Sequence, residues 1–134
     1  MRALVLALFT AALAACATPA PSRAPHANHL SGTNWRRVDD TDANPHGATL
    51  AFEGTRASGY TGCNRWFADV TQDGEILRFG PVGMTRMACG AEVQQATERN
   101  FLSALERTRY GHYDQSTLML LDEQQHVIAE FSAE

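Results

Sequence analysis

A chain of 134 residues with 44% apolar and 19% charged side chains has enough oily surface for one core and too little charge for a disordered polyelectrolyte. Its 11 basic residues are all arginine, set against 15 acidic ones, and a formal charge of −4 supplies no basic footprint for gripping nucleic acid through its phosphates. One domain fits this length, and the three cysteines are where its chemistry concentrates.

Met1 and Arg2 give a short positive start, followed by an apolar run from Ala3 to Ala12, then Leu13 and the small residues Ala14 and Ala15. Residues 1–15 therefore read as a secretion signal, because the apolar run is well short of the ~20 residues a helix needs to cross a bilayer. Leu13-Ala14-Ala15-Cys16 resembles the lipobox of bacterial lipoproteins, which implies that the Cys16 thiol takes a diacylglyceryl group, the signal is removed and the new amino terminus is acylated. Ala17 follows the cysteine where an aspartate would imply retention at the inner membrane, so the expected location is the outer membrane, facing the periplasm. Residues 16–31 carry Pro19, Pro21 and Pro25 among small and polar side chains and read as a lipidated tether. At ~3.1 Å per residue in an extended polyproline-like state, it reaches roughly 45 Å from the lipid surface.

The globule is expected over 32–134. Thr33 to Val38, Ala48 to Phe52, Arg56 to Tyr60, Trp66 to Val70 and Glu75 to Phe79 read as strands by their alternation, with Asp73-Gly74 as a hairpin turn. Gly59 and Gly62 bracket a bulge-prone corner before Cys63, and Pro81 and Gly83 break the pattern. After Gly90 the period changes to about 3.6, which predicts a helix whose buried side holds Val93, Thr97, Phe101, Ala104, Leu105 and Thr108. Tyr110 to Asp114, Thr117 to Leu121 and His126 to Phe131 then close the domain as strands. The fold class is α+β: an antiparallel sheet of several short strands, a meander or partly closed, packed with one amphipathic helix.

Gly59-x-x-Gly62-Cys63-Asn64, the run from Gly80 to Cys89 that ends in Thr-Arg-Met-Ala-Cys, and the single helix followed by short strands together resemble the META domain. One departure is the turn Asp122-Glu123-Gln124-Gln125, where the family commonly places a glycine. The resemblance implies a non-catalytic envelope lipoprotein linked to heat shock and to tolerance of the antibiotic novobiocin, and it supplies no catalytic mechanism and no cofactor. It leaves the partner as an envelope protein or a small ligand, with the chain a monomer.

With Cys16 given to lipid, Cys63 and Cys89 are a pair in an oxidising compartment, and a structural disulfide, a redox couple or free buried thiols are all compatible with their spacing. Asn64, Arg65, Thr85 and Arg86 flank them, so a disulfide draws these side chains together. They form either turn-satisfying groups or a recognition patch whose arginines offer planar forks to carboxylate or phosphate. Asp39, Asp40, Asp42 and Asn44 imitate a calcium loop, but its sixth and twelfth places hold Pro45 and Ala51, so no metal is assigned. No closely spaced ligand pairs mark a zinc site with His112, and no nucleophile elbow is present. The alternatives to a scaffold are a protease inhibitor presenting the Gly80–Gly90 loop, a small-ligand carrier, and a thiol redox protein.

Overall fold

The computed structural model describes residues 30–40 and 47–134; Cys16, the signal, most of the tether, Asp42 and Asn44 lie outside them. Among the described residues nine strands and one helix follow in order: β1 (Asn34–Arg37), β2 (Thr49–Glu53), β3 (Arg56–Tyr60), β4 (Arg65–Asp73), β5 (Ile76–Phe79), β6 (Gly83–Met84), α1 (Glu92–Arg107), β7 (Tyr110–Tyr113), β8 (Thr117–Leu121) and β9 (Val127–Ala133). The architecture is α+β with an antiparallel sheet and one helix. The sheet is more than a meander, however. Its order is β3-β2-β1-β9-β8-β7-β5-β4-β6, and β3 also pairs with β4 from Arg56↔Asp69 to Tyr60↔Arg65, so eight strands return on themselves as a barrel. Local alternation predicts hairpins but carries no information about the partners β1 finds in β9 or β5 finds in β7, and those two ladders complete the ring. The β5–β7 ladder is the thinnest, with the single pair Ile76↔Tyr110.

Side chains fill the barrel. On β4 the buried residues alternate as Trp66, Ala68 and Val70, the period-2 pattern of a half-buried strand. β8 instead buries Leu118, Leu120 and Leu121, because a register shift between Leu120 and Leu121 turns two consecutive leucines inward. Helix α1 closes one end. Its Phe101 is fully buried and meets Trp66 edge-on at 5.3 Å and Phe131 at 6.4 Å between ring centroids. Burying such a ring contributes about 2–3 kcal/mol. Thr97, Ala104 and Leu105 share the buried face, while Val93, expected on it, stays 40% exposed in the first helical turn. The chain enters at the opposite end, where Leu30, grouped with the tether by its sequence, is buried and Gly32 N–H donates to Phe52 C=O at 2.7 Å.

The β8–β9 turn holds no glycine, and Gln125 adopts φ 65°, a left-handed conformation that costs a non-glycine residue roughly 1 kcal/mol. Buried Asp122 holds the turn: its Oδ1 accepts from the Gln124 and His126 N–H groups, both at 3.0 Å, and its Oδ2 accepts from Arg107 at the end of α1 at 3.1 Å. Burial pushes this carboxyl up, but the two backbone N–H groups, nearby His126 and Arg107 outweigh that and hold it below the usual carboxylate range. A lowered carboxyl stabilises the fold above its unfolded value near ~3.9 and loses that contribution as pH falls through the folded value. Asp122→Asn is therefore expected to melt lower than the parent at neutral pH, with the gap narrowing as the acid limb is descended. Melting curves from neutral pH downward check this, and a gap that stays constant throughout contradicts it.

Candidate functional site

The corner between β3 and β4, Thr61 to Asn64, lies at the helix-capped end of the barrel. Gly62 is required there twice over. Its φ is +103°, and a Cβ would stand 2.5 Å from the Thr97 methyl on α1. That close approach lets the corner and the helix share one hydrogen-bond cluster. The fully buried Thr61 hydroxyl accepts from the Cys63 and Asn64 N–H groups at 3.2 and 2.8 Å and donates to Glu98 Oε2 at 2.6 Å.

Asn64, 4% exposed, uses every hydrogen-bonding position of its amide. Nδ2 donates to Glu98 Oε2 at 3.0 Å and to Cys63 Sγ at 3.3 Å, while Oδ1 accepts from the Met87 N–H at 2.7 Å and the Thr85 hydroxyl at 3.0 Å. Thr85 Oγ1 in turn accepts from the Arg65 N–H at 3.1 Å. Cys63 and Cys89 are paired within disulfide distance, their Cα atoms 5.9 Å apart, and Gln95 on α1 donates to the Cys89 C=O at 3.0 Å. The segment from Thr85 to Cys89 is thus clamped to the corner and to the helix together.

The four flanking residues divide accordingly. Asn64 is buried and Thr85 exposed, and both use their side-chain polar atoms inside the cluster. Arg65 and Arg86 are exposed, and their guanidinium groups make no ion pair among the described residues. Glu98, which meets both Thr61 and Asn64, went unpredicted. Its place beside buried Thr97 and three residues before Phe101 puts it at the margin of the buried helix face, the one signal the periodicity offers. His112 sits on β7 beside Glu75 at 3.5 Å, and no cluster of three metal-ligating side chains forms among the described residues. In the acidic stretch, Arg37 takes up Asp39 at 2.7 Å and Asp40 at 4.0 Å. A surface cleft of about 590 Å³ lies at the other end, between Trp35 and Tyr113, whose rings meet edge-on.

Comparison with known proteins agrees with this geometry. The family whose model matches is the META domain, over residues 28–134. Among solved structures, the chain is similar to a protein from Burkholderia xenovorans determined by NMR, with a TM-score of 0.61 and 25% identity, covering 78% of this chain and 83% of that one. It shares its fold with a DUF4847 family protein from Bacteroides vulgatus, a crystal structure, with a TM-score of 0.57 and 14% identity over 77% of this chain and 93% of that one. No curated protein matches. The family match takes in the barrel, the helix and the clamped cysteine corner alike, and the chain belongs to the META domain family.

Proposed function

We propose that this protein is a lipid-anchored, non-catalytic binding or scaffold module on the periplasmic face of the outer membrane, active in tolerance of heat and antibiotic stress. The observation that carries the reading is the placement of Cys16 directly after Leu13-Ala14-Ala15 at the end of a signal-length apolar run. Two or three acyl chains, at ~0.8 kcal/mol per buried methylene, hold a soluble barrel at a membrane where a single chain gives only marginal attachment. Among the described residues no helix is long and apolar enough to cross a bilayer, so in this reading lipid supplies the attachment. The chain enters at the end of the barrel opposite the cysteine corner, and a tether attached there turns exposed Arg65 and Arg86 away from the lipid. The functional gain is local concentration: any partner within tether reach meets the barrel at a raised effective concentration.

Cys16→Ala is the test. The variant is expected to lose fatty-acyl label and to leave the detergent-extracted membrane fraction. Unchanged labelling and retention overturn the anchor, and with it this reading.

A further inference from the structure

We infer that the open edge of β6, with the groove between it and α1, takes up an extended polypeptide segment as an added β-strand. The inference rests on the binding-module reading and names its site and partner class.

In an otherwise closed ring, β6 is the terminal strand of the sheet. It is paired to β4 through Trp66↔Met84 and Phe67↔Gly83 and to nothing on its other side among the described residues. On the β4 side, Gly80 N–H donates to Asp69 C=O at 2.8 Å and Thr85 N–H to Arg65 C=O at 3.0 Å. By the alternation of a strand, the amide groups of Val82 and Met84 face away from β4. Such an edge is ordinarily blunted by charged side chains such as lysine, by proline, bulges or cover from a helix, or by brevity, which is the device this two-residue strand has. Here the chain has no lysine at all, Met84 is 41% exposed, and α1 stands off from the edge across a groove of about 430 Å³.

Two features of the groove select the occupant. Its walls are apolar, with Phe79, Val82 and Met84 on the barrel side and Leu102 on the helix, a pocket for the side chain that an added strand turns toward them. The one ionisable side chain on the wall is Glu106, exposed and without an ion pair among the described residues, which favours a basic residue next to the apolar one. Backbone groups along the edge supply hydrogen bonds that only another extended backbone completes, so the ligand is a peptide rather than a lipid or a sugar. The edge is also held ready. The Asn64 bonds to Thr85 and Met87, and the cysteine pair, fix the residues that follow β6, so little ordering entropy remains to be lost on binding.

The probe is a fluorescein-labelled, capped peptide of alternating lysine and valine, titrated by anisotropy against the full chain in a neutral detergent, with empty micelles as background. Saturable binding is expected, weakened by about tenfold or more when alternate peptide nitrogens are methylated, because methylation removes the pairing N–H groups and leaves the side chains. Glu106→Lys, at an exposed helical position with no effect expected on folding, should shift preference to the glutamate–valine peptide. Absence of binding, equal binding of the methylated peptide, or an unchanged charge preference in the folded Glu106→Lys protein each overturns the inference. None of these readouts depends on Cys16, so failure of the anchor and failure of the edge site are told apart.

Discussion

Asn64→Ala is expected to lower the melting temperature by roughly 10–20 °C, a loss of about 3 kcal/mol in a domain of this size. The side chain is buried and all of its polar positions are in use, so truncation takes a partner at once from the Met87 N–H, the Thr85 hydroxyl and Glu98 Oε2, of which Glu98 keeps the Thr61 hydroxyl. A buried group left without a partner costs its full desolvation, which exceeds the net worth of any one hydrogen bond. Asn64→Asp is the informative control. It keeps the shape and the acceptor oxygen but faces Glu98 with a second carboxylate, so it should be as damaging as alanine at neutral pH and recover on acidification, when one of the two takes a proton. Thermal melts of the two variants across pH check this. A change of only a degree or two in Asn64→Ala would show that the corner relaxes around the gap and that the cluster is not what clamps the Thr85–Cys89 segment.

Replacing both Cys63 and Cys89 with serine should cost about 3.5 kcal/mol, the loop-closure entropy released by a bond spanning 26 residues. Reduction of the parent protein should lower its melting temperature by a similar amount. Because the lesion is in the unfolded state's freedom, the double-serine barrel is expected to keep native spectra at low temperature and, under the proposed function, to confer the same stress tolerance as the parent when expressed at matched level. A redox couple predicts the reverse: an unaltered melt and complete loss of phenotype. The surroundings favour the structural outcome. Cys63 is 3% exposed and packed under the Asn64 amide, and its partner belongs to a segment held by two further contacts, Thr85 and Met87, to the same side chain. Reactive cysteine pairs instead sit close in sequence, at an accessible helix start that lowers one thiol's pKa.

What could be read in advance followed the range of the forces involved. The Asp73-Gly74 turn was legible because its chemistry is local: both residues tolerate positive φ, and the structure gives Gly74 φ +58° between β4 and β5. Helix α1 was equally legible, since Thr97, Phe101, Ala104 and Leu105 recur at helical spacing and all four are buried. Closure of the barrel was not, because the pairing of β3 with β4 beyond the corner and of β1 with β9 is set by packing across the whole domain. β6 was masked by the residues that make it possible. Gly83 reads as a breaker, yet the Phe67 ring occupies the space where its Cβ would be, 2.4 Å away, so only glycine lets the short strand lie against β4. Glu98 was hidden for a related reason: an acidic residue at the margin of an amphipathic face looks solvated until a buried threonine and asparagine are brought to it from a distant corner. Arg65 and Arg86 remain the members of the predicted patch whose charged ends stay out of the corner's hydrogen-bond cluster, and sequence reasoning had no means of separating them from buried Asn64 or from Thr85, which is exposed but gives its hydroxyl to that cluster.

The central claim is that a secreted barrel, pinned by its cysteine pair, is carried on lipid at Cys16. The intact mass of the protein purified from the membrane fraction tests every part of it in one spectrum. The account predicts a chain beginning at residue 16, heavier than its polypeptide by a diacylglyceryl and an acyl group and lighter by the two hydrogens of one disulfide. A soluble chain of unmodified mass, retaining residues 1–15 or carrying free thiols at Cys63 and Cys89, contradicts it.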